Sequence, residues 1–219
     1  MAKVVVFGLR DTAELAHYYL QNDSYHDVVG FTVHEEYMEE EEFRGLPVVP
    51  FENVNDYFSP SKFQLFAPMT ARNMNRNREN VYLEGKEKGY DYVTYLSSRA
   101  SFCDNDIGEN CFILEDNTLQ PFTKIGNNVV LWSGNHIGHH GEIKDHVFFT
   151  SHVVMSGHCV IESNCFFGVN ASIRDYSTIR KGTLLAMGAS LVSQETEEWG
   201  IYVGNPAKRK GSKPSYEVY

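Results

Sequence analysis

The sequence is poor in several features that mark particular classes of protein. Only four of its 219 residues are cysteine and no two form a CxxC pair, which predicts a reduced, cytoplasmic chain without a disulfide framework. No apolar run approaches the roughly 20 residues of a membrane span, and the start "MAKVVVFGLR" resembles a short strand rather than a signal peptide. Lysine and arginine number 19 against 29 acidic residues, giving a net charge of -10, which argues against nucleic acid as a partner. We therefore expect neither a membrane nor a nucleic-acid partner.

The remaining composition is that of a globular protein with one or two domains. Hydrophobic residues make up 42% and charged residues 22%. Residues 1 to 98 alternate between strand-like and helix-like segments, which predicts a small Rossmann-like α/β domain with a parallel sheet. The predicted strands are 3–8, 27–33, 63–69 and 90–96, and the predicted helices are 12–21 and about 73–88.

Two segments of this first domain are candidates for contact with a nucleotide. Gly8 separates a strand from a helix start, a geometry in which helix N–H groups can bind a phosphate. The segment "GLRDTAEL" has one glycine where a dinucleotide fingerprint has three, so an ordinary βα turn explains it equally well. The segment "HEEYMEEEEF" (34–43) fits a solvated acidic loop, although a loop at this place in the fold can also contact a nucleotide.

The second half of the chain follows a strict period of six residues. Every sixth position from Ile107 to Leu191 is large and apolar, and such a hexapeptide period predicts a β-helix. The fifteen marker positions are Ile107, Ile113, Leu119, Ile125, Leu131, Ile137, Ile143, Phe149, Met155, Ile161, Phe167, Ile173, Ile179, Leu185 and Leu191.

A second column of mostly small residues lies four positions after each marker. Cys111, Cys159 and Cys165 belong to this column, together with residues such as Ala171 and Ala189. Small side chains fit where a coil turns a corner. These cysteines are therefore predicted to be packing residues rather than nucleophiles or metal ligands.

The repeat resembles the left-handed parallel β-helix of the hexapeptide-repeat acyltransferases. With the α/β region before it and "VGNPAKRKG" (203–211) at its end, the whole chain is similar to the NeuD/PglD-like bacterial sugar acyltransferases. The resemblance implies about five coils in residues 99–203, followed by a tail at 204–219. It also implies a homotrimer with active sites between subunits, and acetyl-CoA bound in the groove between neighbouring prisms.

The family's catalytic histidine stands in the third position of a hexad, and "IGHHGE" (137–142) matches it at His139. The resemblance implies that His139 is the general base, a role for which an imidazole is suited because it titrates near neutral pH. The family usually has a carboxylate at the next position, where this chain has His140, which could share the role. Residues 18 apart stack on successive coils, so Gly157 is expected to leave open space beside His139.

The resemblance implies further contacts by register. The acetyl-CoA candidates are Gly157, Val169, Met187, Lys208 and Arg209. The candidates for the nucleotide part of the substrate are Gly8, Arg10, Asp11, Thr12, His34 and Glu35. The basic segment "PAKRK" (206–210) fits CoA phosphates, and it fits a solvated tail equally well.

The function implied is acetyl transfer from acetyl-CoA to a nucleotide-linked amino sugar, for bacterial surface glycans. Sugar O-acetylation on the same scaffold is the first alternative. A zinc hydratase like the γ-class carbonic anhydrases is a second, because His136, His139 and His140 lie within five residues. A non-catalytic scaffold is a third. The acyltransferase hypothesis requires no metal.

Overall fold

The amino-terminal region is an α/β unit in the computed structural model, which describes all residues from 1 to 219. Its strands are β1 (Lys3–Phe7), β2 (Asp27–Val33), β3 (Glu42–Phe43), β4 (Leu46–Pro50) and β5 (Phe63–Phe66), and its helices are α1 (Asp11–Asn22), α2 (Val54–Tyr57) and α3 (Arg76–Glu87). The sheet order is β3-β4-β2-β1-β5, and all neighbours are parallel except β3 and β4. The predicted α/β region with a mainly parallel sheet is confirmed.

Two segments of this unit differ from the prediction. The end of the glutamate-rich segment is a hairpin rather than a loop: β3 and β4 pair through a turn at Arg44 and Gly45, both with positive φ. The predicted strand 90–96 is wrong. Tyr92 only bridges Leu65 of β5, whereas Tyr95–Leu96 pairs with Phe112–Ile113 in the second region of the chain.

The second region is a parallel β-helix whose short strands form three sheets, here called face 1, face 2 and face 3. Face 1 contains Tyr95–Leu96, Phe112–Ile113, Val130–Leu131, Phe148–Phe149, Phe166–Phe167, Leu184–Leu185, Ile201–Val203 and the antiparallel Lys208–Arg209. Face 2 contains Thr118–Leu119, His136–Ile137, Val154–Met155, Ser172–Ile173 and Ser190–Leu191. Face 3 contains Asp106–Ile107, Lys124–Ile125, Glu142–Ile143, Val160–Ile161 and Thr178–Ile179. Within the repeat, each strand pairs with the strand eighteen residues further on, as His136 does with Val154.

The hexads fold this way because each position has a distinct environment. The markers point inward, and all except the partly buried Ile107 lie in one buried cluster with small-column residues such as Cys111 and Ala171. The fourth position of every hexad except the last lies at a corner with φ between 54° and 78°. Asparagine, aspartate, histidine and glycine tolerate this left-handed backbone best. This explains why His140, His146, His152 and His158 recur every six residues.

An apolar outer face joins the two regions. The outward side chains of face 1 include Phe112, Val130, Phe148, Phe166 and Leu184, and these five are buried. They share one cluster with Val4, Leu20 and Phe31 of the α/β unit. Since burial of a large apolar side chain contributes about 1.5–3 kcal/mol, this contact holds the α/β unit firmly on face 1.

A buried arginine forms hydrogen bonds between the two regions beside this apolar contact. Arg78 of α3 is fully buried and donates hydrogen bonds to the carbonyl oxygens of Asn128 and Val147 and to the side-chain oxygens of Asn75 and Asn128. Asn75 in turn donates to the carbonyl oxygens of Asn164 and Cys165. Burial lowers the pKa of Arg78 to about 9, so its side chain still carries a charge at neutral pH. These contacts fix α3 against the corner between face 3 and face 1.

His146 at the same corner makes stability depend on pH. Its Nδ1 faces Asn128 Nδ2 at 2.9 Å, so this nitrogen is an acceptor, and burial lowers its pKa despite the nearby carboxylate of Glu79. A histidine whose pKa is lowered by folding stabilises the fold above its unfolded value of about 6.5, and this contribution is lost as the pH falls through the folded value.

We therefore expect the melting temperature to fall between about pH 7 and pH 5, and to fall less in His146→Asn than in the unchanged protein. Asparagine suits this corner, since Asn110, Asn128 and Asn164 stand in the same column. Thermal unfolding followed across this pH range measures the effect. The exposed His152, replaced by asparagine, is the matched control. Parallel curves for His146→Asn and the unchanged protein would contradict the assignment.

The carboxyl-terminal residues pack onto the body of the protein. Lys208–Arg209 extends face 1, Ser215 is buried, and the Tyr219 ring packs on Phe166. The backbone of the basic segment 206–210 is thus ordered against face 1, while the side chains of Lys208 and Lys210 are exposed. None of the helices is both long and apolar enough to cross a membrane.

Candidate active site

His139 lies on the corner between face 2 and face 3, and its side chain is exposed. Its backbone N–H donates to Gln120 Oε1 at 3.0 Å, which ties this turn to the preceding coil. The predicted open space beside Gly157 is wrong, because the His139 ring itself fills it. A Cβ atom on Gly157 would lie 2.8 Å from His139 Cε1 and 2.9 Å from Nε2. The imidazole of His139 therefore packs directly against Gly157.

His140 is the hydrogen-bond partner of His139. The two Nδ1 atoms are 3.0 Å apart, so one of these nitrogens carries a proton and donates it to the other. The proton therefore sits between two imidazoles rather than between an imidazole and a carboxylate. Glu142, the nearest acidic residue in sequence, is paired with Lys144 and forms no contact with His139.

His140 belongs to a stack of four rings along this corner, which we call the corner ladder. Phe122, His140, His158 and Tyr176 occupy the same position of successive coils, and all four have positive φ. Their ring centroids are 4.7, 4.8 and 4.6 Å apart in order. The His139 ring meets the edge of His158 at 5.1 Å. The ladder holds the imidazole that partners His139 in one place.

The remaining histidines of the repeat lie elsewhere. His136 is on face 2, His146 is buried at the joint with α3, and His152 is on the corner between face 1 and face 2. The three histidines whose ring nitrogens lie close together are His139, His140 and His158. The set considered from the sequence was His136, His139 and His140. The stacking of His158 on His140 follows from the spacing of eighteen residues between them.

The residues predicted to contact acetyl-CoA lie on different corners of the β-helix. Gly157 lies on the His139 corner, whereas Val169 and the exposed Met187 lie on the corner between face 1 and face 2. The two groups thus flank opposite edges of face 2. Within a single chain, a ligand that contacts both groups must lie along this face. Lys208 is exposed, and Arg209 is paired with Glu197 at 3.2 Å.

The predicted nucleotide residues gather at the carboxyl end of β1 and β2. Gly8 has φ of 113° and leads into α1, which starts at Asp11 and Thr12. Exposed Arg10 is paired with Glu39 at 2.9 Å. His34 packs against Phe7 and Phe51 and pairs with Glu84 on α3, so its imidazole is held by the fold. The backbone N–H of Glu35 donates to Glu52.

The cysteines of the small column have no accessible thiolate. Cys111, Cys159 and Cys165 are buried and free, and burial raises the pKa of each thiol, that of Cys111 to about 12. A nucleophile or metal ligand needs the thiolate. The prediction that these residues serve packing agrees with this.

The repeat matches a known class of sequence. Residues 106–139 match the family model described as bacterial transferase hexapeptide (six repeats). The match covers this segment alone, yet it agrees with the period that runs on to Leu191. The chain has no significant match among curated proteins.

Several solved structures share the fold of the whole chain. GDP-perosamine N-acetyltransferase from Caulobacter crescentus, in complex with CoA and GDP-perosamine, matches with a TM-score of 0.84 and 18% identity over 97% of this chain and 98% of that chain. The acetyltransferase domain of PglB from Neisseria gonorrhoeae FA1090 matches with a TM-score of 0.81 and 16% identity over 96% of this chain and 100% of that chain. WeeI from Acinetobacter baumannii AYE matches with a TM-score of 0.79 and 19% identity over 96% and 100%. The expected order of an α/β unit followed by a parallel β-helix is thereby confirmed.

Proposed function

We propose that the protein is an acetyl-CoA-dependent acetyltransferase acting on the amine of a nucleotide-linked amino sugar. The observation that carries the proposal is His139, an exposed imidazole resting on Gly157 with its Nδ1 engaged by His140. The matched enzyme from Caulobacter crescentus, whose structures hold CoA and GDP-perosamine, supports the choice of substrates. Two of those structures are variants in which one histidine is replaced by asparagine or alanine.

His139 is the general base in this proposal. When its Nδ1–H donates to His140, the lone pair of Nε2 is free to accept a proton from the sugar amine. The amine nitrogen attacks the thioester carbonyl carbon, the C–S bond breaks, and the CoA sulfur leaves as a thiolate that takes up a proton. General base catalysis of this kind contributes typically 10²–10⁴-fold to the rate. His140 supplies the hydrogen bond that a carboxylate would otherwise provide.

The rest of the chain has matching roles. Residues 1–98 bind the nucleotide through Gly8, Arg10, Asp11, Thr12, His34 and Glu35, and residues 99–203 form a left-handed prism of about five coils. Three chains assemble so that Gly157, Val169 and Met187, with Lys208 and Arg209, border the CoA groove. The separation of these residues across face 2 supports a groove shared between chains. The product belongs to the synthesis of bacterial surface glycans.

The test is an assay of purified protein with acetyl-CoA and a panel of UDP-, dTDP- and GDP-linked amino sugars, read by mass spectrometry. Sugars with a hydroxyl in place of the amine are the matched substrates. Transfer to the amino sugars alone supports the proposal. Transfer to the hydroxyl sugars alone would assign O-acetylation instead.

Gly157→Ala tests the contact between Gly157 and the imidazole of His139. The added methyl group overlaps the His139 ring, with 2.8 Å to Cε1, so the ring must leave its position. We expect kcat/KM to fall by at least about tenfold, because misplacement of about 1 Å can reduce catalysis by 10²-fold. The melting temperature should change little, since the ring can swing into solvent. Ser156→Ala is the control on the adjacent residue, and equal kcat/KM for both variants would contradict the assignment.

A further inference from the structure

Three imidazoles converge on the corner between face 2 and face 3. Each of His139, His140 and His158 offers a ring nitrogen, these nitrogens all lie within 4.8 Å of one another, and all three side chains reach solvent. They come from two successive coils, so their backbone positions are fixed by the strand pairing on both sides.

The corner ladder limits the movement of two of these rings. His140 is enclosed between Phe122 and His158, and His158 is stacked on Tyr176 with an interplanar angle of 2°. These two rings are therefore ordered before an ion binds.

The spacing suits a soft divalent ion. Zn–N bonds of about 2.0–2.1 Å place the ligand nitrogens of a tetrahedral ion roughly 3.3–3.4 Å apart. The Nδ1 atoms of His139 and His140 are already 3.0 Å apart. The rings of His140 and His158 are stacked with an interplanar angle of 14°, so these two rings tilt relative to each other when their lone pairs converge on one ion. Three neutral imidazoles with one open position form a set of ligands that zinc accepts in proteins.

We propose that His139, His140 and His158 bind one Zn²⁺ ion, and that the bound ion inhibits the enzyme. The second part rests on the proposed function. A neutral imidazole has one lone pair, on the nitrogen without a proton. When zinc takes the lone pair of His139, the other ring nitrogen carries the proton, and no nitrogen remains to accept one from the sugar amine. This holds whichever nitrogen of His139 binds the ion.

The experiment uses the full chain, purified without a histidine tag and treated with EDTA. Zinc chloride is titrated in, the bound metal is measured by elemental analysis after gel filtration, and acetyl transfer is measured at the same zinc concentrations. His158→Asn removes one ligand while keeping a residue that tolerates the left-handed backbone. His152→Asn, at another exposed corner, is the matched control.

The expected result is one zinc ion per chain, with transfer reduced at least about tenfold at saturating zinc and restored by EDTA. His158→Asn should bind zinc at least about tenfold more weakly, and its own zinc-free rate should need at least about tenfold more zinc for the same fractional inhibition, whereas His152→Asn should behave as the unchanged protein. Zinc binding that is absent, or equal in both variants, overturns the site. Activation by zinc overturns the inhibition. If the zinc-free protein transfers no acetyl group, the proposed function fails, and the comparison of zinc binding still decides whether the site exists.

Discussion

His139→Asn is expected to lower kcat for acetyl transfer by about 10²–10⁴-fold, the usual contribution of a general base. Asparagine keeps a polar side chain that can hydrogen-bond to His140 but cannot accept a proton from the sugar amine at neutral pH. The KM values for acetyl-CoA and the sugar should change little, because the residue acts in the proton transfer. Steady-state kinetics at pH 7.5, with the sugar that the panel identifies, measures the effect.

His152→Asn is the matched control for this variant. It changes an exposed histidine at the fourth hexad position, one place after that of His139, on a different corner, and it should keep its full activity. CoA binding by calorimetry and the assembly state by light scattering should be the same in both variants. Equal kcat for His139→Asn and the unchanged protein would remove His139 from the mechanism.

Arg78→Ala is expected to destabilise the protein by about 3–5 kcal/mol. The substitution leaves a cavity at a fully buried position, and it leaves the carbonyl oxygen of Asn128 without its donor. Cavities of this kind cost about 2–5 kcal/mol, and an unpaired buried polar group costs about 1–3 kcal/mol. Urea denaturation followed by tryptophan fluorescence and far-UV circular dichroism measures the free energy of unfolding.

Two variants make this result specific to the arginine's contacts. Arg78→Lys keeps the charge but cannot reach the backbone and side-chain oxygens together, so its loss should be intermediate. Arg72→Ala removes an exposed arginine and should change the free energy of unfolding by less than about 0.5 kcal/mol. A decrease in the free energy of unfolding below about 1 kcal/mol for Arg78→Ala would show that these hydrogen bonds do not hold α3 on the β-helix.

The β-helix was predictable because its rule is local and repeated. Each coil returns the chain to the same place after eighteen residues, so a single register assigns the inward and outward positions of the whole repeat. The left-handed corner position also left a signal in the sequence. Its run of asparagine, histidine and glycine is the composition that positive φ selects, and it identifies the four regularly spaced histidines as corner residues.

The contact between the two regions also has a signal in the sequence pattern. Every third hexad has a large apolar residue before its marker, as in Phe112, Phe148 and Phe166, whereas the other outward positions are mostly polar. An apolar residue that points outward from a β-helix needs a covering surface. The covering is the α/β unit.

Other features could not be read from local patterns. The strand predicted at 90–96 has good strand composition, but its partners lie in the prism, and pairing of this kind depends on tertiary contacts. Register alone placed Gly157 beside His139 without showing that the imidazole rotates onto it. The contacts of Arg78 required the docking of α3, although its helical spacing to Val81 and Tyr82 puts it on the buried stripe of the helix, where Arg76 does not lie.

The central claim is that the cluster at His139 transfers an acetyl group to an amino sugar. The most direct test is one mass-spectrometric measurement of the zinc-free protein incubated with acetyl-CoA and the panel of nucleotide-linked amino sugars, alongside His139→Asn. We predict that one sugar gains the mass of a single acetyl group as an amide, with free CoA released in equal amount, and that His139→Asn forms this product at least about 10²-fold more slowly. Equal rates of product formation by the two proteins, or no acetylated sugar across the whole panel, would contradict the account.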